Sequence, residues 1–150
     1  MKLKIPPVIV FFLALAMVFG GHYFFAVWSY QFPNQTFISR IFLAAGVLIA
    51  FSGIIKFRMK GTTVDPLHPD KATALVSTGI YRYTRNPMYL GMALVLLGGI
   101  IRVGNVVGIS GLLFFVWYLT QFQVKPEEEA LLEIFKDEYK SYCAKVRRWI

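Results

Sequence analysis

The sequence predicts an all-α fold, an integral membrane helical bundle of four transmembrane helices followed by a C-terminal amphipathic helix at the membrane interface. Of the 150 residues, 57% are hydrophobic and 16% are charged, whereas soluble domains are about 45–50% apolar and about 25% charged. The apolar residues also fall in long blocks rather than in alternating patterns, so the solvent that they match is a lipid bilayer. The length suits one domain over residues 1–150.

The first two apolar blocks predict transmembrane helices over residues 6–28 and 37–57. The first block follows two lysines, as in a signal peptide, but its apolar run is too long for an ordinary signal sequence and no cleavage site follows it cleanly. We therefore expect a retained helix. His22, near its far end, is either an interfacial residue beside Tyr23 or a functional ionisable group.

The connection over residues 61–78 is long and polar, and connections of this kind are usually functional or disordered. Its one histidine, His68, has no second histidine nearby, so we expect a solvated side chain rather than a metal ligand. The single cysteine, Cys143, excludes an internal disulfide and argues against a zinc cluster, and we interpret it as a packing residue. The sequence therefore predicts no metal site.

Two shorter apolar blocks, residues 87–104 and 105–123, predict a helical hairpin that turns at residues 102–105. Each arm is short for the about 20 residues of a crossing, so we expect tilting or local thinning of the bilayer. Small residues on the two arms would permit close helix contact: Gly91, Gly98, Gly99, Gly108 and Gly111.

The tail over residues 126–148 predicts the amphipathic helix. Pro126 and three glutamates suit its first turn, and apolar and aromatic residues recur at steps of three and four. We expect this helix to lie along the membrane surface, with its basic end near anionic lipid head groups.

The cations indicate the orientation. Of the 16 lysines and arginines, all but Arg40 and Arg102 lie before the first span, in the central connection or in the tail. Positive residues favour the cytoplasmic side. We therefore expect a multi-pass protein with both termini and the active site in the cytoplasm.

The segment over residues 79–91 joins the polar connection to the third apolar helix. Pro87 suits the first turn of that helix, and Asn86 is a good N-cap candidate. The helix start presents unpaired N–H groups and a partial positive charge, flanked by Tyr81, Tyr89 and two arginines. The residues alone leave two interpretations open: an interfacial belt that anchors the helix, or a niche for a small charged ligand.

S-adenosylmethionine is a ligand that such groups suit. It needs a carboxylate for its ammonium, donors for its own carboxylate and an apolar or aromatic slot for adenine, and aromatic faces also favour its sulfonium. The residues permit this ligand without requiring it. The sequence has no G-x-G-x-x-G after a strand and no Walker motif, which excludes the common nucleotide-binding folds.

Two separated motifs resemble the isoprenylcysteine carboxyl methyltransferase family, whose members are membrane enzymes similar to phospholipid methyltransferases. Residues 75–81 and 85–91 are similar to the family pattern L-V-x-x-G-x-Y followed by R-H-P-x-Y-x-G. The tail is similar to the pattern E-E-x-x-L-x-x-x-F-x-x-x-Y-x-x-Y-x-x-x-V through Glu127, Glu128, Leu131, Phe135, Tyr139, Tyr142 and Val146. The resemblance covers about residues 56–150, with the helical hairpin between the two motifs.

The resemblance implies an integral-membrane methyltransferase that moves a methyl group from S-adenosylmethionine to a lipophilic acceptor, an isoprenylcysteine-type carboxylate or a related lipid, and releases S-adenosylhomocysteine. Arg85 is the candidate catalytic residue, which would orient charge, and Gln123 occupies the candidate substrate position. The implied cofactor-binding residues are Thr73, Ala74, Leu75, Val76, Tyr81, Asn86, Pro87, Met88, Tyr89 and Glu127.

We expect a lipid bilayer and a lipophilic or prenylated acceptor as partners, and neither nucleic acid nor metal. The competing class is a non-enzymatic membrane scaffold or transporter subunit. A transporter needs polar residues along an intramembrane path, and the spans carry few beyond His22 and Arg102.

Two departures from the family pattern bear on the chemistry. Asn86 stands where the family has a histidine, so a titrating imidazole is absent there. Gln123 stands where the family has an arginine that is held to meet the substrate carboxylate. A neutral amide cannot form the bidentate pair that a guanidinium forms with a carboxylate. The sequence therefore leaves open whether the acceptor is a prenylcysteine.

Overall fold

The computed structural model describes residues 5–61 and 73–150. The stretch 62–72, which contains His68, and residues 1–4 lie outside the described part. Five α-helices form the described chain: α1 (Pro7–Phe24), α2 (Gln35–Met59), α3 (Pro87–Val103), α4 (Ile109–Leu119) and α5 (Lys125–Lys145). Short 3-10 turns occupy Ala26–Trp28, Gly79–Arg82 and Val106–Gly108. The all-α prediction is confirmed, since strand pairing in the described ranges is limited to one isolated bridge between Ser29 and Asn105.

Three helical stretches in the described residues are long and apolar enough to cross a membrane: α1, α2 and the run Val106–Lys145, which is kinked at Lys136. The 17-residue α3 is apolar but shorter. Large apolar side chains cover the outer faces of α1 and α2, among them the exposed Phe12, Phe19, Leu48 and Phe51. Such a surface is unfavourable in water and favourable in lipid. The predicted membrane helical bundle is therefore confirmed as an architecture.

The helix boundaries differ from the predicted spans at both ends of the first connection. α1 ends at Phe24, four residues earlier than residue 28, and the chain continues as a 3-10 turn. α2 is longer than the predicted span of residues 37–57 and runs from Gln35 to Met59. The hairpin turn is where the sequence placed it. Gly104 closes α3 in the left-handed conformation at φ 65°, which favours glycine, and its N–H donates to the Ile100 carbonyl at 2.8 Å.

Glycines permit close helix contacts, and the two arms of the hairpin pack their glycines against different helices. A Cβ atom on Gly91 of α3 would lie 2.5 Å from the carbonyl oxygen of Gly46 on α2. A Cβ atom on Gly111 of α4 would lie 2.7 Å from the carbonyl oxygen of Ala14 on α1. The close contacts therefore join α3 to α2 and α4 to α1, because the small-residue face of each arm points toward an N-terminal helix.

The tail helix does not begin separately at residue 126, as the sequence predicted. Residues Thr120–Val124 form a π-helical turn that joins α4 directly to α5, and the Lys125 N–H donates to the Thr120 carbonyl. Pro126 has no N–H, and its ring conflicts with the carbonyl four residues earlier in a regular α-helix. A widened turn before it relieves that conflict. Pro126 therefore accompanies a change in helix geometry rather than a new start.

The tail helix also ends at Lys145, three residues before the predicted end at 148. The following residues return to the turn before α3. The Arg85 N–H donates to the Arg147 carbonyl at 3.0 Å, and the Asn86 side-chain amide donates to the Arg148 carbonyl at 2.8 Å. The C-terminal segment therefore packs on the same turn that carries the first sequence motif.

Candidate active site

Glu127 lies at the centre of the candidate site, where α3, the π-helical turn and the first turn of α5 meet. Its Oε1 atom accepts a hydrogen bond from the Tyr89 hydroxyl at 2.6 Å and another from the Gln123 amide at 2.5 Å. Tyr89 is 5% exposed and Gln123 is 2% exposed. The two motifs, 38 residues apart in sequence, are thus joined directly by side chains.

The environment of Glu127 changes its acidity. Burial raises the pKa of the Glu127 carboxyl to about 7, although the hydrogen bonds from Tyr89 and Gln123 lower it, and the neighbouring charge of Glu128 raises it further. A carboxyl group with this pKa is only partly ionised at neutral pH. A cationic partner strongly stabilises the ionised form of such a carboxyl group, because that partner replaces the hydration that the charge loses on burial.

Tyr81 places a buried donor near this carboxylate. Its hydroxyl has no hydrogen-bond partner among the described residues and would lie 3.4 Å from a Cβ atom on Gly53 of α2. Burial raises the pKa of Tyr81, so the hydroxyl keeps its proton. The Tyr142 hydroxyl fixes the backbone of this turn by donating to the Tyr81 carbonyl at 2.7 Å. A buried donor without an acceptor is costly, which suits it to an acceptor atom of a ligand.

Arg85 belongs to a charged network at the edge of the site. Arg148 donates to both carboxylate oxygens of Glu128, at 2.9 Å from Nε and 2.6 Å from Nη2. The Nη1 atom of Arg85 lies 3.3 Å from the same carboxylate and also contacts the Cys143 sulfur. The Arg85 Nε atom is buried without a partner in the described part of the chain. Glu128 therefore holds two guanidinium groups, and Arg148 is engaged with it rather than directed at lipid head groups.

Asn86 occupies the N-cap position of α3, as predicted, but its side chain makes no capping hydrogen bond. The side-chain amide is directed to the Arg148 carbonyl instead, and its backbone N–H donates to the Thr84 hydroxyl at 3.2 Å. The expected capping role was therefore wrong, because the C-terminal segment provides a competing acceptor. Asn86 ties that segment to the start of α3.

The remaining predicted cofactor residues lie on two sides of this centre. Pro87 and Met88 pack against α2, and a Cβ atom on Gly53 would lie 3.1 Å from each of them. In the stretch 73–76, Val76 is buried and Leu75 packs beside a cluster on the second half of α5 formed by Tyr139, Tyr142 and Val146. The structure thus brings Tyr89, Gln123 and Glu127 into direct contact. Tyr81 is close enough for the Glu127 charge to raise its pKa, whereas Leu75 packs on the second half of α5.

Cys143 packs beside that same aromatic cluster, in agreement with its interpretation as a packing residue. In the ranges 5–61 and 73–150, no group of three or more His, Cys, Asp and Glu side chains is arranged to hold a metal ion.

A family model described as phospholipid methyltransferase matches residues 34–138, which contain α2, α3, α4 and the centre of the candidate site. The chain belongs to this family. A protein of Haemophilus influenzae described as uncharacterized is 41% identical over 63 residues, which are 42% of this chain and all of that protein. No solved structure matches the chain.

Two yeast relatives carry a named activity. A protein-S-isoprenylcysteine O-methyltransferase of Schizosaccharomyces pombe is 32% identical over 107 residues, which are 70% of this chain and 44% of that protein. The enzyme of the same name from Saccharomyces cerevisiae is 30% identical over 97 residues, 65% of this chain and 36% of that protein. The chain therefore spans less than half the length of either yeast relative.

Sequence reasoning on this phospholipid methyltransferase family member missed two residues of the site. Glu128 was part of the tail motif, and its position beside Glu127 was the available signal. Arg148 had no such signal, because its contact with Glu128 depends on the end of α5 at Lys145 and on the return of the chain.

Proposed function

We propose that this protein is an integral-membrane methyltransferase that moves a methyl group from S-adenosylmethionine to a lipophilic acceptor. The observation that carries the proposal is the partly buried Glu127 carboxylate bound to the Tyr89 hydroxyl, inside the segment that matches the family. The named activity of the two yeast relatives supports the same class. The competing class, a non-enzymatic scaffold or transporter subunit, has no comparable support.

The residues at the site fit the chemical groups of S-adenosylmethionine. We assign Glu127 to the ammonium, since its raised pKa reflects a carboxylate that lacks a cation. We assign the two buried donors without described partners, the Tyr81 hydroxyl and the Arg85 Nε, to the carboxylate of the same ligand. The stretch 73–76 and the rest of the predicted cofactor set would line the remainder of the site.

S-adenosylmethionine supplies a methyl group that its sulfonium makes electrophilic. The contribution of the chain is to hold the two reactants in line and to exclude water from them. Arg85 orients negative charge at the edge of the site, and Glu128 with Arg148 keeps its guanidinium in place. A carboxylate acceptor needs no general base, whereas an amine must first lose a proton, so we assign no residue as a base.

Gln123 bears on the identity of the acceptor. Its amide is buried and donates to Glu127, and it offers no positive charge to a substrate carboxylate. The yeast relatives are named for isoprenylcysteine, and the family model is named for phospholipids. We propose a lipophilic acceptor other than a prenylcysteine, because its reacting group would not require a fixed guanidinium at this position.

The proposed topology has four crossings, with both termini and the active site in the cytoplasm. α3 would make the short crossing, and the apolar part of the Val106–Lys145 run would make the last one. The support is the division of the cations, with Arg40 and Arg102 alone on the other side of the membrane in this topology.

Calorimetric titration with S-adenosylhomocysteine and radiolabelled methyl transfer from S-adenosylmethionine test this function in two steps. We expect binding to the purified protein and label in a membrane lipid extract, rather than in small thiols. Folded protein that binds no S-adenosylhomocysteine would reject the enzyme class. The acceptor is tested separately with a farnesylated cysteine analogue. Turnover of that analogue by the natural protein at about 1 per second or more would contradict the inference from Gln123, whereas turnover gained only by Gln123→Arg would support it.

A further inference from the structure

An open recess of about 1060 Å³ lies at the opposite end of α3 from the candidate site. Arg40 of α2 and Arg102 at the end of α3 both line it, together with His22 of α1. The proposed function uses none of these residues. These two arginines are also the only cations that the sequence places away from the cytoplasmic side.

Hydrogen bonds fix one wall of this recess at Gln35 and also fix the turn that follows Arg102. The Gln35 amide at the start of α2 donates to the Ile101 carbonyl at 2.7 Å, and its oxygen accepts from the Phe32 N–H at 3.3 Å. Asn105, which is fully buried, donates to the Phe25 carbonyl at 2.9 Å and accepts from the Val107 N–H at 2.9 Å. The start of α2 and the end of α3 therefore hold their two arginines on a common, preorganised surface.

The recess is positively charged and has no acidic neighbour in the sequence. All eight acidic residues occur at positions 65, 70 and 127–138. Neither Arg40 nor Arg102 forms an ion pair with a carboxylate of the described residues. Two guanidinium groups that face one recess repel each other, and an anion between them removes that repulsion. The recess thus favours an anionic ligand.

The surroundings indicate which anion fits. The recess lies at the ends of apolar helices, which in the proposed topology places it at the depth of lipid head groups. Phe19, Phe32 and Phe37 line it together with the polar residues. In the proposed topology, the exposed apolar side chains of α1 and α2 face the hydrocarbon core beside this recess. Guanidinium groups bind phosphate oxygens through paired hydrogen bonds.

We propose that this recess binds the phosphate group of an anionic phospholipid in the leaflet opposite the candidate active site. The two arginines bind the phosphate, and the acyl chains lie along α1 and α2. This site is independent of methyl transfer, and it would anchor the short α3 at its outer end, where a 17-residue helix needs a fixed position in the bilayer.

Native mass spectrometry of the detergent-solubilised protein with added phosphatidylglycerol tests the proposal. We expect one lipid to remain bound to the natural protein. The double variant Arg40→Gln/Arg102→Gln should bind it at least tenfold more weakly, since the loss of one charge-assisted hydrogen bond weakens binding by about tenfold or more. Arg58→Gln, an exposed arginine at the other end of α2, is the matched control and should bind as the natural protein does.

Three further measurements separate the alternatives. The charge-preserving Arg40→Lys/Arg102→Lys should keep more affinity than the glutamine pair, and equal thermal unfolding midpoints show that all variants are folded. Soluble glycerol phosphate should bind much more weakly than the lipid. The proposal would be overturned if the glutamine pair bound the lipid as tightly as the natural protein does. It would also be overturned if Arg58→Gln lost as much affinity as the glutamine pair, or if glycerol phosphate bound as tightly as the lipid.

Discussion

The charge of Glu127 should control the affinity of this protein for S-adenosylmethionine. Glu127→Gln keeps an oxygen that can accept from Tyr89 but removes the negative charge that we assign to the ligand ammonium. A charge-assisted hydrogen bond contributes about 1.5–3 kcal/mol, so we expect affinity to fall about ten- to a hundredfold. Isothermal titration at pH 7 measures this change.

The raised pKa of Glu127 also predicts how the affinity for S-adenosylmethionine depends on pH. With a pKa of about 7 in the ligand-free protein, the ionised fraction rises from about one tenth at pH 6 to one half at pH 7. Affinity should therefore rise about fivefold over that interval. It should level off above pH 7.5, because the ligand ammonium, with a pKa of about 7.7–8.0, begins to lose its proton. Glu127→Gln should show no rise between pH 6 and 7.

Two variants sharpen the test. Tyr89→Phe removes a hydrogen bond that lowers the pKa of Glu127, so its affinity should rise at a higher pH than in the natural protein. Glu129→Gln changes a carboxylate two residues along α5 that is outside the site and should keep both the affinity and the pH profile. Natural affinity and an unchanged pH profile in Glu127→Gln would refute the assignment of Glu127 to the ammonium.

The same pKa shift predicts a cost in stability. A carboxyl group whose pKa is raised on folding stabilises the fold below its unfolded pKa, and that contribution is lost as pH rises toward 7. The shift from 4.5 to about 7 corresponds to about 3 kcal/mol at pH 8. Ligand-free Glu127→Gln should therefore unfold at a higher temperature than the natural protein at pH 8, and a lower unfolding temperature would contradict the predicted burial cost.

Three further predictions concern packing, topology and the charged network. Gly91→Ala should lower the unfolding free energy by about 1–3 kcal/mol because its Cβ meets an α2 carbonyl, whereas Gly20→Ala, with nothing within 4 Å of its Cβ, should lack that loss in the same thermal assay. In a background without the native cysteine, Gln31→Cys should react with an impermeant thiol reagent outside sealed cells and Lys60→Cys should not. Labelling of Lys60→Cys from outside would contradict the proposed orientation. Arg148→Gln removes a bidentate, partly exposed ion pair and should lower the unfolding free energy by about 1 kcal/mol. An unchanged unfolding temperature would contradict a stabilising role for this ion pair.

The sequence by itself determined the class of fold, because long apolar blocks have one favourable solvent. It also determined the start of α3 at Pro87 and the turn at Gly104, since both depend on local backbone preferences. The two motifs pointed to one site through a resemblance, before any contact between them was known.

Only the tertiary structure decided how the site is assembled. The hydrogen bond between Tyr89 and Glu127 joins α3 to the first turn of α5. The local pattern around Pro126 predicted a separate helix start, whereas the structure has a π-helical turn that continues α4 into α5. The pairing of Arg148 with Glu128 and the diversion of Asn86 from its capping role depend on the chain returning after α5. These are contacts between residues distant in sequence, and their energies depend on burial and on competing partners that one segment does not reveal.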